Sequence, residues 1–109
     1  MEISFTTPRL RDICERRADA IDALDPDGAF ELAARLADID AMAHAGELEG
    51  IFGNDVSTRP GNVLALRLAT GHVVVLASGH ARQRLRRDGT VDWQKVTRVR
   101  VVDIEMSNE

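Results

Sequence analysis

The feature that most constrains this chain is a change in the period of its apolar residues. Leu10, Ile13, Cys14, Ile21 and Leu24 recur at helical spacing, and so do Ala29, Leu32, Ala33, Leu36, Ile39 and Ala43. Beyond residue 62 the spacing drops to two, through Val63–Ala69, His72–Ala77 and Val96–Glu105. Helical stripes followed by alternating strands predict an α+β domain. At 109 residues there is room for one such unit, expected to span 1–109. The first segment, Glu2–Thr6, alternates and reads as a short strand. Thr7-Pro8 then offers an N-cap hydroxyl and a proline at the first helical position. A helix over Pro8–Leu24, a turn at Asp25-Pro26-Asp27-Gly28 and a helix over Ala29–Ala43 predict a helical hairpin across residues 8–43. Glycines and Pro60 interrupt residues 44–62, which read as a loop. Residues 63–105 then supply a β-hairpin turning at Thr70-Gly71, an exposed excursion from His80 to Thr90, a turn at Val91–Lys95 and a last strand. The expected order is β-α-α-β-β-β, with the helical hairpin packed on a twisted antiparallel sheet. Phe5, Ile13, Leu24, Leu36, Leu66, Val75, Trp93 and Val101 are the expected core.

Composition narrows the chemistry. With no Tyr, no mechanism here can use a tyrosine hydroxyl, and the single Cys14 excludes an internal disulfide and a Cys-based zinc cluster. Cys14 lies on an apolar helix stripe and reads as a small core residue. No apolar run reaches the ~20 residues of a membrane span, and the N-terminus lacks the layout of a signal peptide, so a cytoplasmic protein with no membrane partner is expected. His72 and His80 lie eight residues apart without a nearby Cys or paired carboxylate, so neither a metal nor another cofactor is expected. His44 reads as a cation at a helix C-terminus.

Charge is divided along the chain. Residues 1–56 hold five arginines against thirteen acids, a balance of −8, whereas residues 57–102 hold eight arginines and Lys95 against two aspartates, a balance of +7. Such a division predicts either an acidic and a basic face or two surfaces joined by mutual ion pairs. Arg82, Arg84, Arg86 and Arg87 form the densest run. They suit contact with RNA phosphates or with an acidic protein segment. Arg98 and Arg100 share one face of the last strand, where like charges need an anion or a carboxylate opposite. On a regular strand Asp103 and Glu105 fall on the other face, so only a bulge would bring them to the arginines. Trp93 reads as core, with base stacking as its alternative use.

Three stretches carry a family resemblance: Glu2–Thr7 running into Leu10–Glu15, Ala34–Ile39, and Asp92–Val96 leading into Val99–Glu105. Together they resemble the RelE/ParE superfamily of type II toxins, and within it the HigB-like branch of plasmid-maintenance killer proteins. The resemblance implies a RelE-like fold and a ribosome-dependent endoribonuclease that cuts mRNA in the A site. It implies a cognate antitoxin, of helix-turn-helix type, as partner, and it leaves homo-oligomerisation open. Members of this kind end in an acidic residue followed by Tyr-His. Here Glu105 is followed by Met106, and Ser107 and Asn108 stand at those two positions. The loop His and Lys and the second-strand Arg of relatives are likewise absent, with Gly53–Ser57 and Val73-Val74 in their place. The catalytic set then reduces to Arg98 and Arg100 as phosphate-stabilising cations and His80 as a substitute general base. Arg59, Arg67, Arg82, Arg84, Arg86 and Arg87 would hold RNA. The expected function is a divergent toxin with a weakened active site. Two alternatives stand beside it: a catalytically silent member of this fold acting as a protein-binding module, and a ParE-like gyrase inhibitor.

Overall fold

The structure is a computed structural model and describes residues 1–106. Five strands, β1 (Glu2–Phe5), β2 (Val56–Arg59), β3 (Val63–Arg67), β4 (Val73–Ser78) and β5 (Arg98–Glu105), form one sheet in the order β1-β5-β4-β3-β2. Three helices, α1 (Pro8–Glu15), α2 (Arg17–Ala41) and α3 (Glu47–Phe52), accompany it. The domain is α+β. The sheet, however, is mixed and not antiparallel, because β1 pairs parallel with β5 along Glu2–Phe5 and Arg98–Val101. A parallel pair requires a long crossover between its strands. Here the whole helical half and three strands supply it.

The helical half departs from expectation in two places. Thr7 caps α1 as anticipated, its Oγ1 accepting from the Leu10 N–H at 3.1 Å with Pro8 in the first turn. The helix then stops at Glu15, and Arg16 is extended. The apolar stripe from Ile13 to Ala20 and Leu24 stays in phase across this break, so no local signal marks it. The break leaves α1 in contact with β1 and β5 while α2 runs on. Within α2, the expected turn is a kink at a single residue, Asp25, with φ 63° and ψ 167°. Pro26 removes a donor and pushes its predecessor out of the α region. The resulting conformation is one that glycine alone adopts without strain.

The expected loop 44–62 is largely structured. It contains α3, a 3-10 turn at Gly53–Asp55, and edge strand β2, which pairs antiparallel with β3 from Val56↔Leu66 to Arg59↔Val63. Its glycines are real turn signals all the same: Pro60 and Gly61 (φ 90°) close β2 onto β3. Only four residues long and without strict alternation, β2 carries too weak a pattern to be read locally.

One face of the sheet is buried beneath the helices. Leu24, Leu32, Ile39 and Leu48 from the helices meet Leu64, Leu66, Val74, Leu76, Val99 and Val101 from the strands. Glu31 on α2 ties this layer to the β3–β4 turn, its carboxylate accepting from the Ala69 and Thr70 N–H groups at 2.6 and 3.3 Å. Of the expected core, Ile13, Leu24, Leu66, Val75 and Val101 are buried, whereas Phe5, Leu36 and Trp93 are half-buried against it. The α2 stripe is centred on Leu32 and Ile39, 1% and 0% exposed, and Leu36 lies at its margin.

Leu32→Ala should therefore cost about 2–5 kcal/mol, and Leu36→Ala clearly less, in urea unfolding. Equal losses would mean that α2 is rotated from this arrangement. Asp25→Gly should raise stability by about 1 kcal/mol, because glycine relieves the kink while giving back part of that gain as backbone entropy. A destabilised Asp25→Gly would show that the carboxylate contributes more than the strain costs.

Candidate functional site

The face of the sheet away from the helices is the candidate site, and a register shift in β5 composes it. Ser78, Ala77 and Leu76 of β4 oppose Val99, Arg100 and Val101, but the next β4 residue, Val75, opposes Asp103. Val102 is the extra residue of a β-bulge. Past it, Ile104 turns into the core opposite Val74, and Asp103 and Glu105 turn outward. Arg98, Arg100, Asp103 and Glu105 thus share the open face.

Arg59 comes to the same face from the far edge. It lies on β2, with β3 and β4 between it and β5, yet its Nη1 donates to Glu105 Oε2 at 2.7 Å. A side chain can bridge that span only if the open face is concave. Ala65 and Val75 occupy the rung between the two residues and are 3% and 6% exposed on a face that no helix of the described residues covers. Hydrogen bonding to Arg59 holds the Glu105 carboxyl below the usual carboxylate range; Glu105 and then Asp103 hold the Arg59 guanidinium above its usual value.

The remaining sheet cations divide. Arg67 Nη2 lies 3.3 Å from Asp55 Oδ1, and Arg98 Nε lies 3.1 Å from Glu2 Oε2. Arg100, between Ser4 and Ala77 on the neighbouring strands, forms no ion pair with a carboxylate among the described residues. Asp55 and Glu2 come from the acidic half of the chain and Arg67 and Arg98 from the basic half. Part of the charge division therefore folds onto itself.

The arginine run is a two-stranded ribbon. Leu85 bridges to Val91, Arg86 N–H donates to Thr90 O, and Gly89 (φ 87°) closes the turn. Asp88 accepts from the Thr90 N–H and hydroxyl, which hold its carboxyl below the usual range. Arg82, Arg84, Arg86 and Arg87 are all exposed, and Arg86 alone of them approaches a carboxylate, Asp92, at 3.9 Å among the described residues. His80 is the buried root of this ribbon. The Thr97 N–H donates to its Nε2 at 3.0 Å, and its own carbonyl accepts from Gln83. Burial first, and then the nearby Arg84 and Arg98, push the imidazole below its ordinary pKa. The neutral ring is committed to Thr97. As a general base it would have to release that bond.

The fold thus joins Arg59, Glu105, Asp103 and Arg100 on one face, with Arg98 at its β1 edge. Arg84 and Arg98 flank His80, and Arg82 and Arg87 stand apart on the ribbon. Glu105 and Asp103 are site members that a regular strand would hide. His72 bonds Thr70 Oγ1 at 2.8 Å, and burial pushes the Cys14 thiol up to about 12, which leaves it inert as a nucleophile. Ser107 and Asn108 lie outside the described residues. Among the described residues no helix is long and apolar enough to cross a membrane, and no three His, Cys, Asp or Glu side chains gather to hold a metal ion. No protein-family model matches the chain, and neither a curated protein nor a solved structure matches it.

A neutral folded His80 binds fewer protons than the unfolded chain just below the ordinary pKa of ~6.5, so folding should lose stability as pH falls through and below that value. His80→Gln, which keeps an acceptor for Thr97, should flatten this dependence when urea midpoints are compared at about pH 7.5 and about pH 5.5. An unchanged slope would mean that His80 is not the buried neutral group described.

Proposed function

We propose that this chain is a divergent toxin of the HigB/RelE type that holds RNA on the open face of its sheet, with the ribosome and its mRNA as target and a helix-turn-helix antitoxin as partner. The observation that carries the reading is the bulge at Val102, which turns Asp103 and Glu105 onto the face that Arg98 and Arg100 already occupy, a face that no helix of the described residues covers. Cleavage by attack of a ribose 2′-OH needs a proton acceptor and fixed cations on the phosphate. Glu105 is an ionised acceptor, and Arg100, without a carboxylate partner among the described residues, has its guanidinium available to a phosphate oxygen. The helix-covered, open-faced sheet supports kinship with the RelE-like fold alongside the sequence resemblance, although β1 joins this sheet in parallel.

The depressed Glu105 is a weak base, and Ser107 and Asn108 replace the Tyr-His pair of relatives, so cleavage should be slow by much of the ~10²–10⁴-fold that acid–base groups supply. A second reading, the silent protein-binding module, draws support from Arg59, Arg67 and Arg98, each of which already faces a carboxylate.

Expression should arrest bacterial growth, and the purified chain should cut mRNA on ribosomes weakly. Arg98→Ala/Arg100→Ala should abolish both effects while changing stability by less than about 1 kcal/mol, as exposed charges do. Absence of arrest and cleavage, together with a partner protein that still binds the double variant, would favour the module. Cleavage that survives the double variant would remove the sheet face from the mechanism.

A further inference from the structure

Beside the sheet face lie two adjoining grooves of about 440 and about 600 Å³ that share Glu49, Thr58, Arg86 and Trp93. Each falls within the roughly 300–1,000 Å³ range of small-molecule sites. Four separate elements meet there: α3 brings Glu49, edge strand β2 brings Thr58, the arginine ribbon brings Arg86, and a short 3-10 turn brings Trp93. The turn is firmly held. The Asp92 carboxylate accepts from the Gln94 N–H, and the Trp93 carbonyl accepts from the Gly46 N–H at 3.0 Å. A Cβ at Gly46 would meet the end of the Gln94 side chain at 2.5 Å, so any larger residue there would displace that side chain. The indole packs against the core and also lines both grooves, so it is a rigid aromatic surface at their junction.

The two charged residues at this junction are complementary and uncommitted. Arg86 reaches its nearest carboxylate, Asp92, only at 3.9 Å, longer than the ~2.7–2.9 Å of a charge-assisted hydrogen bond. Glu49 is exposed and forms no ion pair with a cation among the described residues. An ionised carboxylate only accepts and a guanidinium only donates. Of the RNA bases, guanine alone offers two adjacent donors, N1–H and the N2 amino group, together with two adjacent acceptors, O6 and N7. Any base can stack on an indole, but only guanine satisfies a carboxylate and a guanidinium with a pair of atoms each. The second groove also reaches Arg59 and the Pro60–Asn62 turn at the β2 edge, so a strand held on the open face enters it by passing over that edge.

We infer that the groove at Trp93 takes one guanine base of single-stranded RNA, stacked on the indole, with Glu49 accepting from its N1–H and N2 amino group and Arg86 donating to O6 and N7. The inference rests on the RNA-binding reading above and adds a base preference to it.

Trp93 is the chain's only tryptophan, so its fluorescence reports on this groove alone. The full chain would be titrated with short fluorescein-labelled oligouridines carrying a single central guanosine, adenosine or cytidine. Tryptophan quenching and fluorescein anisotropy would be read in parallel. The guanosine oligomer should quench Trp93 and bind at least about tenfold tighter than the others. Glu49→Gln should bring its affinity down to theirs without moving the urea midpoint, since Glu49 is exposed. Equal affinity for all the oligomers, or binding by anisotropy without quenching, would overturn the guanine site and leave the RNA-binding reading standing. Guanosine preference without mRNA cleavage on ribosomes would keep the site and overturn the ribonuclease reading. No binding of any oligomer would overturn both.

Discussion

Strand β5 sits between a parallel neighbour, β1, and an antiparallel one, β4, and it carries one residue more than β4 can pair. Without that residue, Asp103 would follow Val99 and Val101 into the core beneath the helices. A carboxylate there would have to leave water without a partner, at a cost that a small domain cannot absorb. With Val102 inserted, the apolar phase is restored at Ile104 and the two carboxylates are delivered to the open face. The bulge therefore completes the core and composes the site in one step. Both consequences follow from the period of two along a strand, which a single extra residue reverses.

Electrostatics follows from that geometry. Arg59 reaches Glu105 across two strands because the carboxylate faces outward and the sheet is concave, and the pair lies over the small residues Ala65 and Val75. Arg67 and Arg98 find carboxylates from the opposite end of the charge division. These are exposed pairs of small energetic weight, so they orient side chains more than they hold the fold. The surface that results is mixed, with Arg100 and the ribbon arginines as its available cations. A strand of RNA would have to compete with Glu105 for Arg59, whereas Arg100 needs no such exchange.

Burial separates His80 from the arginines around it. A histidine at the end of a basic, exposed segment has the sequence of a surface residue. Its exposure depends on whether the chain turns back over it, and here β5 begins beside it with the Thr97 N–H in need of an acceptor. Trp93 shows the opposite outcome: a residue with the composition of a core anchor keeps part of its indole at the surface, because four short elements converge around it without closing.

Several parts of this structure were legible in the sequence because they rest on local physics. The switch from helical to alternating period, the Thr7-Pro8 cap, the Thr70-Gly71 hairpin turn and the shared face of Arg98 and Arg100 each depend on residues a few positions apart. Other parts depend on residues far apart in the chain, and only the tertiary structure decides them. The parallel pairing of β1 is set by which edge of β5 stays free after β4 has paired. The short strand β2 exists because β3 offers it a ladder, and the break at Arg16 exists because α1 must lie against β1 and β5. The bulge belongs to the same class. The sequence predicted what a bulge at β5 would accomplish, but whether Val102 is skipped depends on the register with β4, and register is a property of two strands together.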